Sequence, residues 1–418
     1  MTDAGCVRRD TCRLCGNGDL SLVIELTPTP PANAFVTDSQ LNEEQAVFPL
    51  DVFFCESCAH LQLLDVVDPS VLFENYVYVS GTAPAFVKHF DEYAETVINK
   101  FVGAVNGKLA LDIGSNDGTL LRAFQKRGME VVGVDPARDI AAMATDAGVE
   151  TKAAFFTPEL ARGIRREYTS AAVVTANNVF AHADDLRRIV EGIKAILADD
   201  GVFVFEVSYL VDVFEKTLFD TIYHEHLAYH SVKPLDRFFR ENGMELFAAE
   251  RVSSHGGSLR GFAQLAGGPN EADGSVGSLK SLEESLGLDN AETFKRFGGK
   301  VELVKRDLGR LLSGMKSQGK SVAGFGAPAK ATTLMYHFGI GPTVVDFIVD
   351  DSPLKQGLFS PGMHIPVLPS QAIYDKKPDV VIILAWNFAD AILANHKRFL
   401  DMGGTFIVPL PDIKVFSL

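Results

Sequence analysis

The spacing of apolar residues changes along the chain and divides it into regions. Up to about residue 70, short apolar runs at Val52–Phe54 and His60–Leu63 predict strands, and the proline-rich segment Thr27–Pro31 predicts turns. From about Phe73 onward, apolar runs alternate with helical patterns of about 10–15 residues. This alternation predicts βαβ units and a parallel sheet.

The middle region contains a complete series of these units. Helical periodicity covers Ala85–Val102, and Ser231 is a typical N-cap for a helix that Gly243 ends. The other units are strands at 109–113, 131–134, 172–175 and 202–207, with helices at 119–127 and 186–198. A parallel sheet of this kind binds its ligands beyond the carboxyl ends of the strands.

A second α/β pattern ends the chain. The Gly- and Ser-rich stretch Arg251–Gly277 predicts a connection, and Ala291–Ser317 has the periodicity of a long helix or helix pair. Strands are predicted at 322–326, 344–349, 380–384 and 405–408. We therefore predict an α/β protein with three domains, at residues 1–70, 71–250 and 251–418.

Composition and charge limit the classes of function. The chain has 418 residues and a net charge of −15, without the basic excess or basic stripe that is usual in nucleic-acid binders. Met1–Asp10 lacks an apolar signal segment, and no apolar run approaches the ~18 residues that span a bilayer. We expect a cytoplasmic protein that binds neither nucleic acid nor membranes, although a local cluster of donors could hold a small anion.

Four of the five cysteines form two CxxC pairs, Cys12 with Cys15 and Cys55 with Cys58. Each pair can place two sulfurs on one ion, so the pattern predicts a tetrahedral Zn²⁺ site. Four thiolates leave no open position, and we expect a structural zinc that stabilises a lobe with little core. Four free cysteines would not explain the paired spacing. Cys6 is expected not to be a ligand.

A glycine-rich turn, DIGSNDG, connects the strand at 109–113 with the following helix. Gly114 lets the backbone approach a ligand, and Gly118 lets the helix pack closely on the sheet. About 20 residues after Gly114, Asp135 ends the second strand, where an acid accepts hydrogen bonds from ribose hydroxyls. The turn therefore predicts a nucleoside cofactor, with Asp135 and its neighbour Pro136 among the residues that bind it.

The charges of this turn favour S-adenosylmethionine over a dinucleotide. Asp117 near the helix N-terminus would repel a pyrophosphate, whereas S-adenosylmethionine has no phosphate and carries a sulfonium cation. Asn116 and Asp117 could hold its amino acid end. Asn177 and Asn178 follow the strand at 172–175, where the methyl donor would lie. The alternative is an ordinary tight connection between strand and helix, which the position of Asp135 disfavours.

The segment Phe219–His230 carries three of the ten histidines and lies beyond the strand at 202–207. We expect it to face the cofactor crevice. Methylation of carbon needs a carbanion equivalent, which a base generates by removing the proton next to a ketone. A histidine suits this role, and a tyrosine or a second histidine can stabilise the enolate oxygen.

The geometry of this segment stays open at the level of sequence. In a helical turn Tyr223 and His226 share a face, whereas in an extended loop His224 and His226 do. The His-Glu-His run could also bind a metal, although it lacks the i, i+4 spacing of HExxH, or its histidines could be ordinary hydrogen-bonding residues. His182, after the strand at 172–175, could join the same cavity.

Taken in order, the motifs resemble one known family. From Cys12 to Asn387 they read CxxC, CxxC, DIGSNDG, TIYHEHLAYHS, SSHGGSLR, GFGAPAKATTL and ILAWNF. This order resembles the deoxysugar C-methyltransferases, in particular the TDP-sugar 3-C-methyltransferases of antibiotic branched-sugar pathways. The resemblance implies a zinc-binding N-terminal domain and a class I S-adenosylmethionine-dependent methyltransferase middle domain. It also implies a second Rossmann-like domain at the C-terminus that helps to bind the nucleotide sugar.

The resemblance also implies roles for individual residues. His226 would be the base that abstracts the C3 proton of a 4-keto sugar, and Tyr223 and Glu225 would assist it. His182 would lie near the sugar. The residues that would close over the methyl donor are Tyr76 and Tyr78.

The C-terminal motifs fit an anionic substrate. The turn Gly324–Lys330 offers backbone amides at a helix N-terminus, and Lys330 adds a positive charge for the TDP pyrophosphate. The segment Ser254–Ser258 and the strand end before Asn387 offer further polar groups. The residues expected to bind the sugar nucleotide are His255, Ser258, Arg260, Lys330, Asp351 and Asn387.

We therefore expect a methyl transfer to C3 of a TDP-linked 4-keto-deoxysugar, with a 3-amino-2,3,6-trideoxy sugar among the candidates. A nicotinamide oxidoreductase that uses the C-terminal turn and Asp350 is one alternative, and it predicts binding of NAD without uptake of methyl groups. A zinc-containing interaction module would leave the Tyr-His-Glu-His run unexplained. Methylation of oxygen or nitrogen would keep the same fold. The sequence does not define the oligomeric state, and it is compatible with a monomer.

Overall fold

The computed structural model describes residues 5–73, 81 and 84–417, without the side chains of Pro84, Ala85 and His255. Tyr76 and Tyr78, which the family resemblance places over the methyl donor, lie outside the described residues. Within the described part, none of the helices has the length and apolar character needed to span a bilayer.

The N-terminal lobe consists of two small antiparallel sheets. Strands β1 and β5 form one pair, and the second sheet has the strand order β11, β4, β3, β2. Strand β11 comes from residues 228–229, far along the chain, so this sheet is completed by a segment that follows the Tyr-His-Glu-His run. The bounds are β1 Cys6–Arg8, β2 Leu20–Ile24, β3 Val52–Cys55, β4 Leu61–Leu63, β5 Asp65–Val67 and β11 Ala228–Tyr229.

The middle region is a seven-stranded sheet with the order β12, β13, β10, β9, β6, β7, β8. Strands β10, β9, β6, β7 and β8 run parallel, and β13 pairs antiparallel with both β10 and β12. A parallel sheet with one reversed strand inserted near its edge is the sheet of class I methyltransferases. The bounds are β6 Leu109–Ile113, β7 Glu130–Asp135, β8 Thr151–Ala153, β9 Ala171–Asn177, β10 Leu197–Ser208, β12 Met244–Val252 and β13 Ser258–Leu265.

Strand β13 lies within Arg251–Gly277, where the sequence predicts only a connection. The middle sheet therefore continues to Leu265, beyond the boundary predicted at residue 251. The glycines that suggest a loop have a packing role here. A Cβ at Gly261 would lie 2.2 Å from the ring of Phe205 on β10, so only glycine lets the two strands pair at this point.

Helices cover both faces of the middle sheet. Helix α2 continues into a π-helical turn at Ile98–Val102, and α8 begins after the N-cap Ser231, as predicted. Its first amides, however, are capped by the Glu283 carboxylate, which accepts from Val232 N at 2.6 Å. The bounds are α1 Pro69–Phe73, α2 Pro84–Val97, α3 Thr119–Gln125, α4 Arg138–Asp146, α5 Pro158–Glu167, α6 Leu186–Ile196, α7 Leu210–Glu215, α8 Val232–Glu241 and α9 Ser275–Ser285.

The C-terminal region is a six-stranded sheet with the order β16, β15, β14, β17, β18, β19. All strand pairs are parallel except β18 with β19. The long helix α10 leads into this region and contacts both β2 and α11. The bounds are α10 Ala291–Ser317, β14 Val322–Phe325, α11 Ala329–Phe338, β15 Ile348–Val349, β16 Val367–Leu368, α12 Ala372–Lys376, β17 Val380–Ile383, α13 Ala389–Asn395, α14 Lys397–Asp401, β18 Thr405–Val408 and β19 Lys414–Phe416.

Candidate active site

The four predicted cysteine ligands form one cluster in the N-terminal lobe. Their sulfur atoms all lie within 4.8 Å of one another, with Cys12 and Cys58 3.7 Å apart and Cys15 and Cys55 3.6 Å apart. A tetrahedron with Zn–S bonds of 2.3 Å has edges of about 3.8 Å. The residues therefore fit one Zn²⁺ held by four thiolates, and with no ligand position left open the ion is structural.

The zinc-binding lobe is fastened directly to the middle region through Arg13, which lies between the two cysteines of the first pair. The guanidinium is buried and donates to the Leu227 carbonyl at 2.7 Å and to the Leu63 carbonyl at 2.9 Å. The amide of Leu63 donates to the same Leu227 carbonyl at 3.0 Å. Arg13, within the cysteine cluster, therefore supports the backbone immediately after the Tyr-His-Glu-His run.

The glycine-rich turn after β6 is shaped by its backbone conformation. Gly114 has φ +70°, and a Cβ there would lie 2.2 Å from Cγ2 of Val179, so the position accepts only glycine. Asn116 also has a left-handed backbone, at φ +50°. Asp135 at the end of β7 accepts from Asn116 N at 2.9 Å and from Ala137 N at 2.9 Å. The acid expected to bind a ribose is thus fixed against the turn by two backbone donors.

The remaining predicted cofactor residues lie around the same turn. Asp117 accepts from the amide of Gly81 at 3.2 Å and forms an ion pair with Arg122 at 3.3 Å. Asn177 ends β9 with its amide atoms buried, and Asn178 has φ +54°. The residue between Asp135 and Ala137 is Pro136. Gly114 N donates to the Val134 carbonyl at 2.7 Å and Asn116 N to the Asp135 carboxylate, so the turn is held against the end of β7, whereas Asp117 is partly neutralised by Arg122.

The Tyr-His-Glu-His run forms a tight turn, in which His226 N donates to Tyr223 O at 2.8 Å. Tyr223 and His226 therefore lie on the same side, with ring centroids 4.1 Å apart. The ring of His182 lies 5.1 Å from that of His226. Of the two geometries that the sequence leaves open, the structure has the one that brings Tyr223 and His226 together.

The tautomer of His226 follows from its hydrogen bond. Nδ1 lies 2.7 Å from the Thr221 carbonyl, and because a carbonyl only accepts, Nδ1 carries the hydrogen. In the neutral ring, Nε2 then holds the basic lone pair. Burial, followed by the proximity of His226, lowers the pKa of His182 well below its ordinary value, so His182 stays neutral. His182 Nε2 has no hydrogen-bond partner among the residues that the structure describes.

The other two members of the run point towards the N-terminal lobe. His224 is buried and its Nε2 donates to the Phe48 carbonyl at 3.1 Å. Glu225 accepts from the side-chain amide of Asn33 at 2.9 Å. Glu225 therefore contacts the N-terminal lobe through Asn33, whereas the family resemblance implies that it assists the base. His224 is a residue of the core.

A buried charged cluster at the end of β10 has no counterpart in the sequence predictions. Glu206 accepts from Arg260 at 2.9 Å and lies 3.1 Å from His89 Nε2 on α2. Burial opposes ionisation of Glu206, but the hydrogen bond from His89 and the charge of Arg260 outweigh it and lower its pKa to about 2. Glu206 pairs in the sheet with Asn177, so the cluster borders the cofactor turn. Neither Glu206 nor His89 stands in a recognisable motif.

The cluster also changes the interpretation of Arg260. The Arg260 side chain is 8% exposed, and its guanidinium pairs with Glu206 and Glu250 and lies 4.4 Å from the ring centroid of Tyr93. Ser258, on the same strand, donates to the Ser254 carbonyl at 3.1 Å. The structure places both predicted substrate residues in internal contacts, while the side chain of His255 lies outside the described atoms.

The three C-terminal substrate candidates differ in environment. Lys330 is partly buried with Nζ 4.4 Å above the ring of Trp386, and burial lowers its pKa. Asn387 is exposed immediately after Trp386. Asp351 is exposed and accepts from Ser370 at 2.5 Å. Lys330 and Asn387 both lie at the carboxyl edge of the C-terminal sheet, beyond β14 and β17.

The sheet order, the reversed β13 and the turn held by Asp135 define the middle region as a class I S-adenosylmethionine-dependent methyltransferase. Family models agree: residues 86–249 match a methyltransferase domain, residues 12–73 a zinc binding domain and residues 253–411 a C-methyltransferase C-terminal domain. The chain is also 37% identical to the C-methyltransferase NovU of Streptomyces niveus over 98% of its length and 97% of that protein. The chain therefore belongs to the C-methyltransferase family.

Solved structures with related folds include a S-adenosylmethionine-dependent methyltransferase from Clostridium acetobutylicum, 13% identical, with a TM-score of 0.35 over 43% of this chain and 92% of that one. The magnesium protoporphyrin IX methyltransferase of Synechocystis, solved with bound S-adenosylhomocysteine, is 16% identical, with a TM-score of 0.33 over 43% of this chain and 83% of that one.

Membership of the C-methyltransferase family favours transfer to carbon over the oxidoreductase, heteroatom and interaction-module alternatives.

Proposed function

We propose that this C-methyltransferase acts on C3 of a TDP-linked 4-keto-deoxysugar, with His226 as the base, in branched antibiotic-sugar biosynthesis. The observation that carries the proposal is the fixed tautomer of His226, whose Nδ1–H is held by the Thr221 carbonyl at 2.7 Å. A histidine oriented in this way offers the basic Nε2 to a substrate proton.

The carbon to be methylated must first become nucleophilic. His226 Nε2 takes the proton from the carbon next to the ketone, and the electron pair of the broken C–H bond moves into the enolate. Bound S-adenosylmethionine supplies the electrophilic methyl group. Gly114, Asn116, Asp117, Asp135 and the asparagines after β9 are the residues that would hold this cofactor, together with Pro136, Tyr76 and Tyr78.

Developing negative charge on the ketone oxygen needs neutral or positive donors. The Tyr223 hydroxyl belongs to the same turn as His226, and their rings are in contact, 4.1 Å between centroids. His182 is kept neutral by burial, so it can donate a hydrogen bond without repelling a protonated His226. We assign Tyr223 and His182 to stabilisation of the enolate, and Glu225 to holding the turn against the lobe through Asn33.

The nucleotide is assigned to the C-terminal sheet. The amides that begin α11 and the Lys330 ammonium offer the donors that a pyrophosphate needs, and Asn387 lies at the same edge. Asp351 and His255 stay proposed contacts of the sugar nucleotide. For Arg260 and Ser258, the internal partners Glu206 and the Ser254 carbonyl favour a structural role over substrate binding. A cytoplasmic location and the absence of nucleic-acid or membrane partners stay predictions from the sequence.

The substrate is tested with methyl-labelled S-adenosylmethionine and a panel of TDP-4-keto-deoxysugars with 3-amino or 3-hydroxy groups. We expect label to enter the sugar and product NMR to place the new methyl on C3. Both C3 and C5 flank a C4 ketone, so a methyl on C5 would keep the enolate chemistry and refute the assigned position. A methyl on oxygen or nitrogen would refute the mechanism as well.

The base is tested with His226→Asn, which we expect to lower turnover by about 10²–10⁴-fold while S-adenosylmethionine still binds. His364→Asn is a matched control, because His364 has a left-handed backbone, φ +52°, which asparagine tolerates, and it belongs to the C-terminal region. The control should keep the wild-type rate. A near wild-type rate for His226→Asn would remove His226 as the base.

A further inference from the structure

Asp220 is a fully buried acid that begins the segment leading to His226. It is 0% exposed, and its Oδ2 accepts from the indole N–H of Trp386 at 2.6 Å. Trp386 is the single tryptophan of the chain and begins a 3₁₀ turn, Trp386–Phe388, that follows β17 of the C-terminal sheet. This hydrogen bond therefore joins two residues that are distant in sequence, one before the base and one at the proposed nucleotide-binding edge.

The environment of Asp220 is costly for a carboxyl group. Among the described residues, its Oδ1 has no hydrogen-bond partner, and burial raises its pKa despite the nearby Lys330 charge. Lys330 also contacts this tryptophan, with Nζ 4.4 Å from the centroid of the Trp386 ring. A buried acid with an unsatisfied oxygen costs stability, and a pair of apolar groups of similar shape in place of the carboxyl and the indole N–H would avoid that cost.

The residue that follows Asp220 carries the group that orients the base. The next residue, Thr221, provides the carbonyl that accepts the Nδ1–H of His226 at 2.7 Å. Asp220 and Thr221 belong to one turn of 3₁₀-helix, Phe219–Thr221. We therefore expect a displacement of Asp220 to change the orientation of the Thr221 carbonyl. The contact with Trp386 is thus one residue away from the hydrogen bond that sets the tautomer.

We propose that Asp220 is a positioning residue, which uses its hydrogen bond to Trp386 to hold the Thr221 carbonyl and so keep His226 in the tautomer with a basic Nε2. The inference rests on the proposed role of His226 as the base. It makes the C-terminal sheet part of the orientation of the base, in addition to its proposed binding of the nucleotide.

Three variants separate this role from a general contribution to packing. Trp386→Phe removes the indole donor but keeps an aromatic ring beneath Lys330, and Asp220→Ala removes the acceptor. Asp220→Asn keeps a carbonyl oxygen that can accept from Trp386, so it should restore most of the function. The control is Thr332→Val, which removes a different buried hydrogen bond between the C-terminal region and the N-terminal lobe, from Thr332 Oγ1 to the Ala32 carbonyl at 3.1 Å, and leaves the contacts of Asp220 and Thr221 in place.

The readout is exchange of the sugar proton next to the ketone with deuterated water, in the presence of S-adenosylhomocysteine, measured by mass spectrometry. Exchange reports proton removal without methyl transfer. We expect Trp386→Phe and Asp220→Ala to slow exchange by about tenfold or more, while affinity for S-adenosylhomocysteine stays within about twofold of wild type. The variant that combines Trp386→Phe with Asp220→Ala should exchange no more slowly than Asp220→Ala alone, because the two residues act as one unit.

The outcomes distinguish the inference from the function on which it rests. If wild type shows no exchange, or His226→Asn exchanges as fast as wild type, the base assignment fails. If wild type exchanges and His226→Asn does not, but Trp386→Phe and Asp220→Ala exchange at the wild-type rate, only the positioning role is overturned. A loss of exchange in Thr332→Val equal to that in Trp386→Phe would also overturn it, since any interdomain contact would then suffice.

Discussion

Replacement of Gly114 by alanine tests whether the turn after β6 is shaped to bind the cofactor. Two separate costs follow from the structure. The backbone has φ +70°, which costs a residue with a Cβ about 1–2 kcal/mol. The new methyl group would also lie 2.2 Å from Cγ2 of Val179, far inside normal carbon contact, and overpacking of this kind costs about 1–3 kcal/mol. The sum is about 2–5 kcal/mol.

This cost must appear in one of two measurements. If the turn keeps its shape, the strain lowers the stability of the fold. If the turn moves away from Val179, the cofactor must restore the shape when it binds, and the cost becomes lost affinity, at about tenfold for each 1.4 kcal/mol. We therefore measure both the urea midpoint and the calorimetric affinity for S-adenosylhomocysteine, and we expect their combined loss to match the sum.

Two further variants assign the cost to its causes. Gly107→Ala carries the same φ of +70° but has no atom within 4 Å of the new Cβ, so it should lose only the backbone part and none of the affinity. Val179→Ala in the Gly114→Ala background removes the clashing methyl and should recover the packing part. Wild-type stability and affinity in Gly114→Ala, or no recovery in the double variant, would refute the reasoning.

Two other predictions concern the contacts of the N-terminal lobe. Metal analysis should find one zinc per chain. Cys58→Ser should lower both the metal content and the methylation rate, because the lobe supports the Tyr-His-Glu-His turn through Arg13 and Asn33. Full activity without metal would contradict this prediction. Burial lowers the pKa of His224 to about 4, so on acidification from pH 7 to pH 5 the unfolded chain takes up a proton that the folded chain does not, and stability falls by about 2 kcal/mol. His224→Gln should remove this part of the pH dependence of the urea midpoint, and parallel pH curves for variant and wild type would contradict it.

Local patterns predicted much of the fold. The strand at 109–113, the turn that contains Gly114 and the acid at Asp135 follow from residues that are close in sequence, and the structure has all three elements where they were expected. The four cysteines were equally clear, because a metal ion imposes its own spacing on its ligands. The prediction was wrong at 251–277, where glycines that permit close strand packing were interpreted as a connection.

The contacts of the candidate site were harder to predict from the sequence, because they join residues that are far apart in the chain. Arg260 looked like a ligand donor, but Glu206 on a neighbouring strand takes its guanidinium. Sequence spacing does not reveal that pairing, which depends on the register between β10 and β13. From the sequence alone, a polar residue on such a strand can be predicted either to bind a ligand or to pair with another residue of the protein.

The Tyr-His-Glu-His run shows why local sequence alone could not decide its geometry. The spacing of its residues is compatible with a turn or with an extended loop, and hydrogen bonds to groups outside the run decide between the two geometries. His224 donates to the Phe48 carbonyl and Glu225 accepts from Asn33, so both side chains point towards the N-terminal lobe. Tyr223 and His226 are left together on the opposite side, next to His182. In the proposed mechanism, the zinc-binding lobe would therefore influence which histidine is left to act as the base, although it supplies none of the proposed reacting groups.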